Sequence, residues 1–416
     1  PNPHLDDLIE PSFSTDRAFR LLSRMSFPRA VGSLGEQLAA RLVERALGRS
    51  GRMVVRERFP VGIHARRFGS LFAFLASALV ILFGLSVASW WPLITAMSTL
   101  MAAYLVNVPW IVTRKLADRL RARVWSENLI SWPVPVESLE DATAPARVVF
   151  LAHYDSKSQR LPTGLRVGLV VAATAGSLIL SMLAVARMLV PGVVGTESMM
   201  IVTASVLFCL IPLMFNTSGN RSPGALDNAS GLAVLLELAR SWRPCSDAPV
   251  DVVFLATGAE EVGLDGARAF LLRHEWWLRQ RPTLLINLES VGTGARVWLA
   301  GSQAAVTLAE EVAHGHSIPT GRFRVLGAGM DHEPFTAVGL EAVSLLGDVV
   351  GSSSALHSSR DTIHLIDRDA LNRAARLATH LAWTWAKKWH RAQDPAVEPS
   401  TLGSVPVPDP VQLRND

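Results

Sequence analysis

The sequence predicts an α/β protein: a three-layer α/β/α sandwich around a mixed, mostly parallel central sheet, with four transmembrane helices inserted as two hairpins. Short continuous apolar runs, of which residues 146–154 form the clearest, alternate with stretches of helical periodicity, which is typical of strands buried on both faces. Two long uncharged segments interrupt this alternation. The 416 residues suffice for one large α/β domain or two smaller ones.

The elements of the sandwich follow from periodicity and from turn residues. After a loose arm at residues 1–12, amphipathic patterns predict helices over residues 16–25 and 34–47. Strands are predicted at residues 53–61, 127–131, 146–154, 250–257, 283–288, 296–300, 322–326 and 342–346. Further helices are predicted at residues 231–241, 264–280, 303–313 and 368–388. Residues 391–416 are rich in proline and polar side chains, which indicates a disordered tail.

The two uncharged segments have the lengths of helical hairpins. Residues 68–113 carry no charge, and Trp90-Trp91-Pro92 interrupts them, so the run fits two helices of about 20 residues joined by a tight turn. A second run, residues 167–215, is broken near its middle by Arg187 and Pro191. Buried core helices are the alternative, but uncharged runs of this length that occur twice as hairpins favour membrane spans. The hairpins then interrupt one domain formed by residues 13–67, 114–166 and 216–390.

The charge distribution predicts orientation and compartment. Arginines flank both hairpins on the side of the domain, whereas the turn of the first hairpin carries no charge, which places the domain on the cytoplasmic side. Basic residues are nearly all arginine, which suggests a GC-rich bacterial genome and hence a bacterial inner membrane. The first 65 residues are polar, so no cleavable signal peptide is expected. The net charge of +4 gives no reason to expect a nucleic-acid partner, and the two cysteines, Cys209 and Cys245, are compatible with a reducing compartment.

Carboxylate and imidazole side chains follow several of the predicted strands. In an α/β sheet, ligands collect outside the carboxyl ends of the strands. The side chains at such ends or in neighbouring turns are His153, Asp155, Asp227, Glu260, Glu261, Glu289 and His357. Imidazole with several carboxylates is a ligand set for zinc or a similar divalent ion. A bridging carboxylate with two histidines and two further carboxylates would hold two ions about 3.5–4 Å apart.

Each of these residues also has an ordinary structural explanation. Asp227 could cap the helix that begins at residue 231, and Glu260-Glu261 could form a solvated acidic turn. His314, His316 and His364 are interpreted as ordinary structural histidines. The joint occurrence of the other residues at element ends favours the metal site.

Six segments resemble one enzyme family, the zinc aminopeptidases of clan MH, which include bacterial leucyl-type aminopeptidases and glutamate carboxypeptidase. They are Ala152-His-Tyr-Asp-Ser, Gly224-Ala-Leu-Asp-Asn-Ala-Ser-Gly, Gly258-Ala-Glu-Glu-Val-Gly-Leu, Asn287-Leu-Glu, Asp331-His-Glu-Pro-Phe and His357-Ser-Ser-Arg-Asp-Thr. The segment Pro28-Arg-Ala-Val-Gly-Ser-Leu-Gly-Glu also resembles the opening helix of the family. The resemblance covers about residues 12–58 and 126–390, without the second hairpin, and marks the interrupted domain as the catalytic domain.

The resemblance implies a role for each matching residue. Asp227 would bridge two zinc ions, with His153 and Glu289 completing one ion and Glu261 and His357 the other. Glu260 would be the general base. Asp155 would orient His153 as its hydrogen-bond partner. Asp331 and His332 would lie near the site in a supporting role.

The chain departs from the family at three points. Position 289 is Glu, where many relatives have Asp, and Leu356 stands where some relatives carry a tyrosine that stabilises the oxyanion. The two hairpins are insertions that common soluble members lack. The second hairpin leaves the domain shortly after His153 and returns shortly before Asp227, so the site is expected close to the membrane surface.

The leading functional prediction is a membrane-anchored, two-zinc exopeptidase, and an aminopeptidase is the favoured type. Its expected partners are peptide substrates and the lipid bilayer. A glutaminyl cyclase, which shares the fold but uses one zinc, is the alternative enzyme. A non-catalytic receptor or scaffold on the same fold is a third hypothesis, although no ligand is missing. A transporter is disfavoured because the predicted spans carry no charged residue in their middles.

Overall fold

The computed structural model describes six ranges of the chain: residues 13–49, 52–107, 124–133, 146–242, 249–323 and 329–392, without the side chains of residues 64–70. The predicted arm at residues 1–12, the basic flank at 114–123 and the tail from residue 393 lie outside these ranges. The end of the strand predicted at residues 322–326 also lies outside them.

Strands and helices alternate through most of the described chain. The strands are β1 (Met53–Val61), β2 (Val124–Trp132), β3 (Arg147–His153), β4 (Ser158–Gln159), β5 (Ser218–Gly219), β6 (Asp251–Thr257), β7 (Thr283–Glu289), β8 (Val297–Gly301), β9 (Thr320–Arg322) and β10 (Glu341–Leu346). The helices are α1 (Thr15–Met25), α2 (Leu34–Gly48), α3 (Ile63–Val87), α4 (Pro92–Asn107), α5 (Thr163–Leu189), α6 (Thr196–Met214), α7 (Gly231–Ser241), α8 (Asp265–Arg279), α9 (Gln303–Gly315), α10 (Glu333–Thr336) and α11 (Arg368–Arg391).

Eight strands form one mixed sheet in the order β1-β2-β6-β3-β7-β10-β8-β9. Strand β3 lies at its centre and pairs in parallel with β6 and β7, and β7 pairs in parallel with β10. Successive side chains of β3 pack into different apolar cores: Phe150 lies in the core on one face and Leu151 in the core on the other. The prediction of a mixed α/β sheet with helices around it is confirmed. The parallel pairing places the carboxyl ends of four neighbouring strands at one edge of the sheet.

Helix α7 runs through the larger core and begins against the end of β7. Ten of its eleven residues are buried. At its start, a Cβ on Gly231 would lie 2.2 Å from the carbonyl oxygen of Leu288. Only glycine allows this approach, which holds the turn before α7 against the carboxyl end of β7.

The two predicted hairpins form helices α3–α4 and α5–α6, and all four helices pack into one bundle with a common apolar core. Small residues and hydroxyl groups lie between the helices. Gly176 packs against Val206, and the hydroxyl of Thr95 donates to the carbonyl oxygen of Gly84 at 2.7 Å. Close packing at small residues with bonds to backbone is typical of helices in a membrane.

Large apolar side chains cover the outside of the bundle. Phe208 is 74% exposed and Met182 is 71% exposed, and neighbouring outward positions are also apolar. Helices α5 and α6 are long and apolar enough to cross a membrane. The apolar part of the first pair is shorter in the described residues, at Leu71–Val87 and Pro92–Asn107, so two helices rather than four meet the length criterion. Residues 108–113 of the predicted hairpin lie outside the described ranges.

We expect Gly231→Ala to lower the thermal stability of the protein strongly. The new methyl group would collide with backbone that cannot rotate away, and overpacking of this kind costs about 1–3 kcal/mol. Gly48→Ala is the matched control because a Cβ at Gly48 has nothing within 4 Å. Thermal unfolding of both variants in detergent measures the difference. Equal melting temperatures for the two variants would contradict the close contact between Gly231 and Leu288.

Candidate metal centre

Six acidic and imidazole side chains converge at the carboxyl edge of the sheet. His153 is the last residue of β3 and Glu289 the last residue of β7. The loop after β6 supplies Glu260 and Glu261, and the loop after β10 supplies His357. Asp227 lies in the turn at residues 225–230 that leads into α7. The structure therefore brings together residues that are up to 204 positions apart in the sequence.

Asp227 lies between the two histidines and faces both of them. Its Oδ1 lies 3.2 Å from Nε2 of His153, and its Oδ2 lies 3.0 Å from Nε2 of His357. Each histidine has a second carboxylate beside it. Glu289 Oε1 lies 3.2 Å from the His153 nitrogen, and Glu261 Oε2 lies 3.3 Å from the His357 nitrogen. Two groups of three potential ligands thus share Asp227.

Glu260 belongs to neither group of three. Its Oε2 lies 3.9 Å from Nε2 of His153, and the side chain is buried. Burial raises the pKa of Glu260 well above its usual range, and the charges of Glu289 and Glu261 raise it further against the opposing effect of His153. Glu260 is thus a carboxyl group beside the ligand cluster that can hold a proton.

Asp155 connects the two sides of the centre. Its carboxylate oxygens accept hydrogen bonds from the backbone N–H groups of Glu260 and Glu261, both at 3.1 Å. Its Oδ1 also lies 3.5 Å from Nδ1 of His153, on the side of the ring away from Asp227. The structure places Asp155 where it can orient His153 and the glutamate turn together.

In the turn before α7, Asn228 forms the structural hydrogen bonds, and the neighbouring Asp227 faces the histidines. Asn228 Oδ1 accepts hydrogen bonds from the backbone N–H groups of Gly231 and Ser290, each at 3.0 Å. Asn228 Nδ2 donates to the carbonyl oxygen of Leu288 at 2.8 Å. Asn228 therefore caps the helix and fastens the turn to β7, while Asp227 remains directed at the histidines.

The two residues predicted to support the site lie beside it. Asp331 is buried and accepts a hydrogen bond from the hydroxyl of Thr257, and burial raises its pKa to about 7. His332 Nδ1 lies 2.7 Å from the hydroxyl of Ser344, to which the Asn287 amide also donates. That amide donates in turn to Oε2 of Glu289 at 3.2 Å. His332 therefore reaches Glu289 through two intervening side chains.

Three further residues hold the centre but received no role from the sequence. The carboxylate of Asp361 accepts hydrogen bonds from the backbone N–H groups of Leu226 and Asp227, at 2.6 and 3.1 Å. Buried Arg29 donates to the carbonyl oxygens of Tyr154, Pro223 and Gly224. Asp361 and Arg29 lie in segments that resemble the family, which was the available signal.

Lys157 is the third of these residues. Its Nζ lies 2.5 Å from Oε2 of Glu261 and also donates to the Glu261 carbonyl oxygen at 3.2 Å. Burial would raise the pKa of Glu261, but Lys157 and His357 outweigh burial and lower it to about 2. Glu261 therefore offers an ionised oxygen as a potential ligand.

The tyrosines lie elsewhere. The hydroxyl of buried Tyr154 donates to the carbonyl oxygen of Glu127 at 2.7 Å, and Tyr104 is exposed on α4. Neither tyrosine can therefore serve the cluster as an oxyanion donor in this arrangement.

Among the histidines interpreted as structural, His316 stacks on His380 with ring centroids 3.6 Å apart.

The donor set fits divalent cations. The cluster combines two imidazoles with acidic oxygens, which are the ligands that zinc takes in proteins. Oε1 of Glu261 is buried without a hydrogen-bond partner in the described residues, so an acceptor faces the cluster unpaired. Burial raises the pKa of Glu289, and the charge of Asp227 adds to this against the opposing effect of His153, so a cation beside Glu289 would stabilise its ionised form.

Comparison with known proteins agrees with this geometry. The family model "Peptidase family M28" matches residues 213–382, which include Asp227, the three glutamates of the cluster and His357 but not His153. The matched range is about two fifths of the chain. Among curated proteins, the chain is similar to aminopeptidase YwaD of Bacillus subtilis, with 29% identity over 40% of this chain and 39% of the relative. The match thus spans about two fifths of that relative's own length.

Solved structures share the fold of this chain. BSAP, a zinc aminopeptidase from Bacillus subtilis, aligns with a TM-score of 0.53 and 15% identity over 89% of this chain and 95% of the other. A glutaminyl cyclase from Fimbriiglobus ruber aligns with a TM-score of 0.51 and 15% identity over 90% and 95% of the two chains. Because aminopeptidase and cyclase align equally well, the fold does not decide between their activities.

We expect Asp361→Asn to weaken zinc binding by about 10–100-fold, because asparagine offers one oxygen to the two N–H groups that hold the Asp227 turn. Zinc affinity measured by chelator competition checks this expectation. Asp348→Asn is the control, since the Asp348 carboxylate accepts from Gly351 in an exposed loop. Wild-type affinity in Asp361→Asn would show that the turn does not need this support.

Proposed function

We propose that this chain is a membrane-embedded metallo-exopeptidase that uses two zinc ions and acts as an aminopeptidase on peptides. The observation that carries the proposal is the pair of ligand groups that share Asp227, with Glu260 beside them and outside both. The printed names of YwaD and BSAP support the choice of an aminopeptidase and of zinc.

The residues divide between holding the ions and moving protons. His153, Asp227 and Glu289 would hold one zinc, and Asp227, Glu261 and His357 the other. Zinc, when bound, polarises a carbonyl group and lowers the pKa of water towards about 7. The Nε2 atoms of both histidines face the carboxylates, so both rings present their lone pairs to the ion positions.

Glu260 is the general base of the proposed reaction. Its carboxylate takes the proton of the attacking water while the water oxygen bonds to the peptide carbonyl carbon. It then gives that proton to the nitrogen of the breaking C–N bond, so that the amine leaves neutral. Asp155 holds Glu260 and Glu261 by adjacent backbone bonds, which directs one glutamate to the proton and the other to the ion.

The completeness of both ligand groups favours a two-zinc peptidase over a one-zinc glutaminyl cyclase. A cyclase would need only one group of three, and the second group would have no reason to keep its geometry. It also disfavours a receptor or scaffold, since a non-catalytic chain would not need Glu260 beside a full ligand set. A measured content near two zinc ions per chain would favour the peptidase over the one-zinc cyclase.

The proposal includes four membrane spans. Two helices meet the length criterion, and the other two share a bundle core with them while exposing apolar side chains outwards. An exposed apolar surface of this extent is unfavourable in water and fits the interior of a bilayer. The arginine distribution supports a bacterial inner membrane with the catalytic domain on the cytoplasmic side.

We expect Glu260→Gln to retain two zinc ions and to lower kcat for amino-acid amides by about 10²–10⁴-fold, because the amide cannot accept the proton. Steady-state kinetics with metal analysis of the same sample checks this. Glu275→Gln is the matched control, since Glu275 pairs with Arg279 on exposed α8. A zinc-loaded wild type that is inactive on every peptide and amide tested would count against the peptidase.

Cysteine labelling tests the membrane arrangement. In a Cys209→Ser/Cys245→Ser background, we expect an impermeant maleimide to label Val193→Cys in intact spheroplasts, because residue 193 lies in the turn of the second hairpin. Val350→Cys, 65% exposed on the catalytic domain, should react only after permeabilisation. The reverse pattern would contradict the orientation, and labelling of both positions only after permeabilisation would contradict the spans.

A further inference from the structure

The two histidines of the centre are supported by different parts of the molecule. His153 ends the central strand β3, and its Nδ1 faces Asp155. His357 lies in a loop, and its backbone φ of +58° is in the left-handed region that non-glycine residues rarely adopt. Such a backbone persists only where its surroundings hold it.

The surroundings that hold His357 belong to the base of the second hairpin. We define the hairpin base as residues 158–163 and 216–219. The backbone N–H of Gln159 donates to the carbonyl oxygen of His357 at 2.8 Å. The hydroxyl of Thr163, the first residue of α5, lies 3.4 Å from Nδ1 of His357. Both the backbone and the ring of His357 therefore contact the hairpin base.

Backbone pairing and a side-chain hydrogen bond join the two segments of the hairpin base. Strands β4 and β5 pair antiparallel, with Ser158 opposite Gly219 and Gln159 opposite Ser218. The Asn216 side-chain oxygen accepts a hydrogen bond from the backbone N–H of Leu161 at 3.0 Å. The position of Thr163 thus depends on how the hairpin leaves and re-enters the catalytic domain.

The chemistry of the ring gives Thr163 a defined task. Because Nε2 of His357 faces Asp227 and Glu261, an ion there takes the Nε2 lone pair and the proton lies on Nδ1. Nδ1–H can then donate to the Thr163 hydroxyl oxygen, which fixes the tautomer and the ring orientation. Partners of this kind commonly change metal affinity by about 10–100-fold when they are removed.

We propose that Thr163 is the positioning residue for His357, and that the hairpin base therefore sets the affinity of the second zinc position, formed by Asp227, Glu261 and His357. The inference rests on the proposed two-zinc function. It makes the membrane hairpin a structural part of one metal position, whereas the other position is built from the central sheet. Loosening the hairpin base then releases the second zinc and leaves the first.

The test is zinc affinity at each position of the full-length protein, measured by competition with a chromophoric chelator in detergent. Thr163→Val should weaken one of the two bound zinc ions by about 10–100-fold and leave the other within threefold. Thr163→Ser keeps the hydroxyl and should restore wild-type affinity. Thr174→Val is the control, because Thr174 bonds Asn107 inside the bundle and does not touch the site.

Single-position backgrounds assign the effect. With His153→Ala, which leaves the second position, Thr163→Val should again weaken zinc binding, and so should Asn216→Ala. With His357→Ala, which leaves the first position, neither substitution should matter. Circular dichroism establishes that each variant is folded.

The outcomes separate this inference from the proposed function. A wild type with two zinc ions and peptidase activity, in which Thr163→Val keeps both affinities or loses both equally, would overturn the inference alone. A wild type that binds one zinc, weakened by Thr163→Val and restored by Thr163→Ser, would overturn the two-zinc function and keep the inference. A single zinc that is insensitive to Thr163→Val would overturn both.

Discussion

The carboxylate of Asp227, shared between the Nε2 atoms of His153 and His357, is the interaction on which the centre depends. Two effects oppose an ionised Asp227 at this place. Neighbouring carboxylates repel its charge, and burial disfavours the ionised form of a carboxyl group. Burial would raise the pKa of Asp227, but bonds to both histidines outweigh burial and hold it well below its usual range. The fold therefore has to keep one ionised oxygen pair fixed between two rings that come from different elements.

The scaffold meets this requirement with backbone contacts around Asp227. Asp361 accepts hydrogen bonds from two N–H groups of the turn, those of Leu226 and Asp227. Asn228 ties the turn to β7, and the close approach of Gly231 to Leu288 sets the start of α7. Asp155 does the same for the glutamate turn. The helix that begins here is almost entirely buried, so the position of Asp227 is coupled to the main core. By contrast, His357 contacts the base of the second helical hairpin, through the backbone N–H of Gln159 and the hydroxyl of Thr163.

Much of this could be predicted from the sequence, for identifiable reasons. The apolar runs predicted as strands at residues 146–154 and 283–288 place His153 and Glu289 near one edge of the sheet, whereas their roles as ligands were implied by the family resemblance. Lys157 and Arg29 could not be found this way, because their partners lie about 100 or more residues away and are carbonyl or carboxylate groups that no local pattern marks. For the first hairpin, the uncharged run predicted a pair of helices but not where each helix ends, because an uncharged run only limits where a helix can lie.

X-ray absorption at the zinc edge tests whether Asp227 bridges two zinc ions. If it does, the full-length protein, loaded with two zinc ions per chain, should show zinc–zinc scattering at about 3.5–4 Å, as expected for a two-metal site. Asp227→Asn, with a weaker bridging group, should lose that feature. A fully loaded wild type with nitrogen and oxygen neighbours but no zinc–zinc scattering would contradict the bridge.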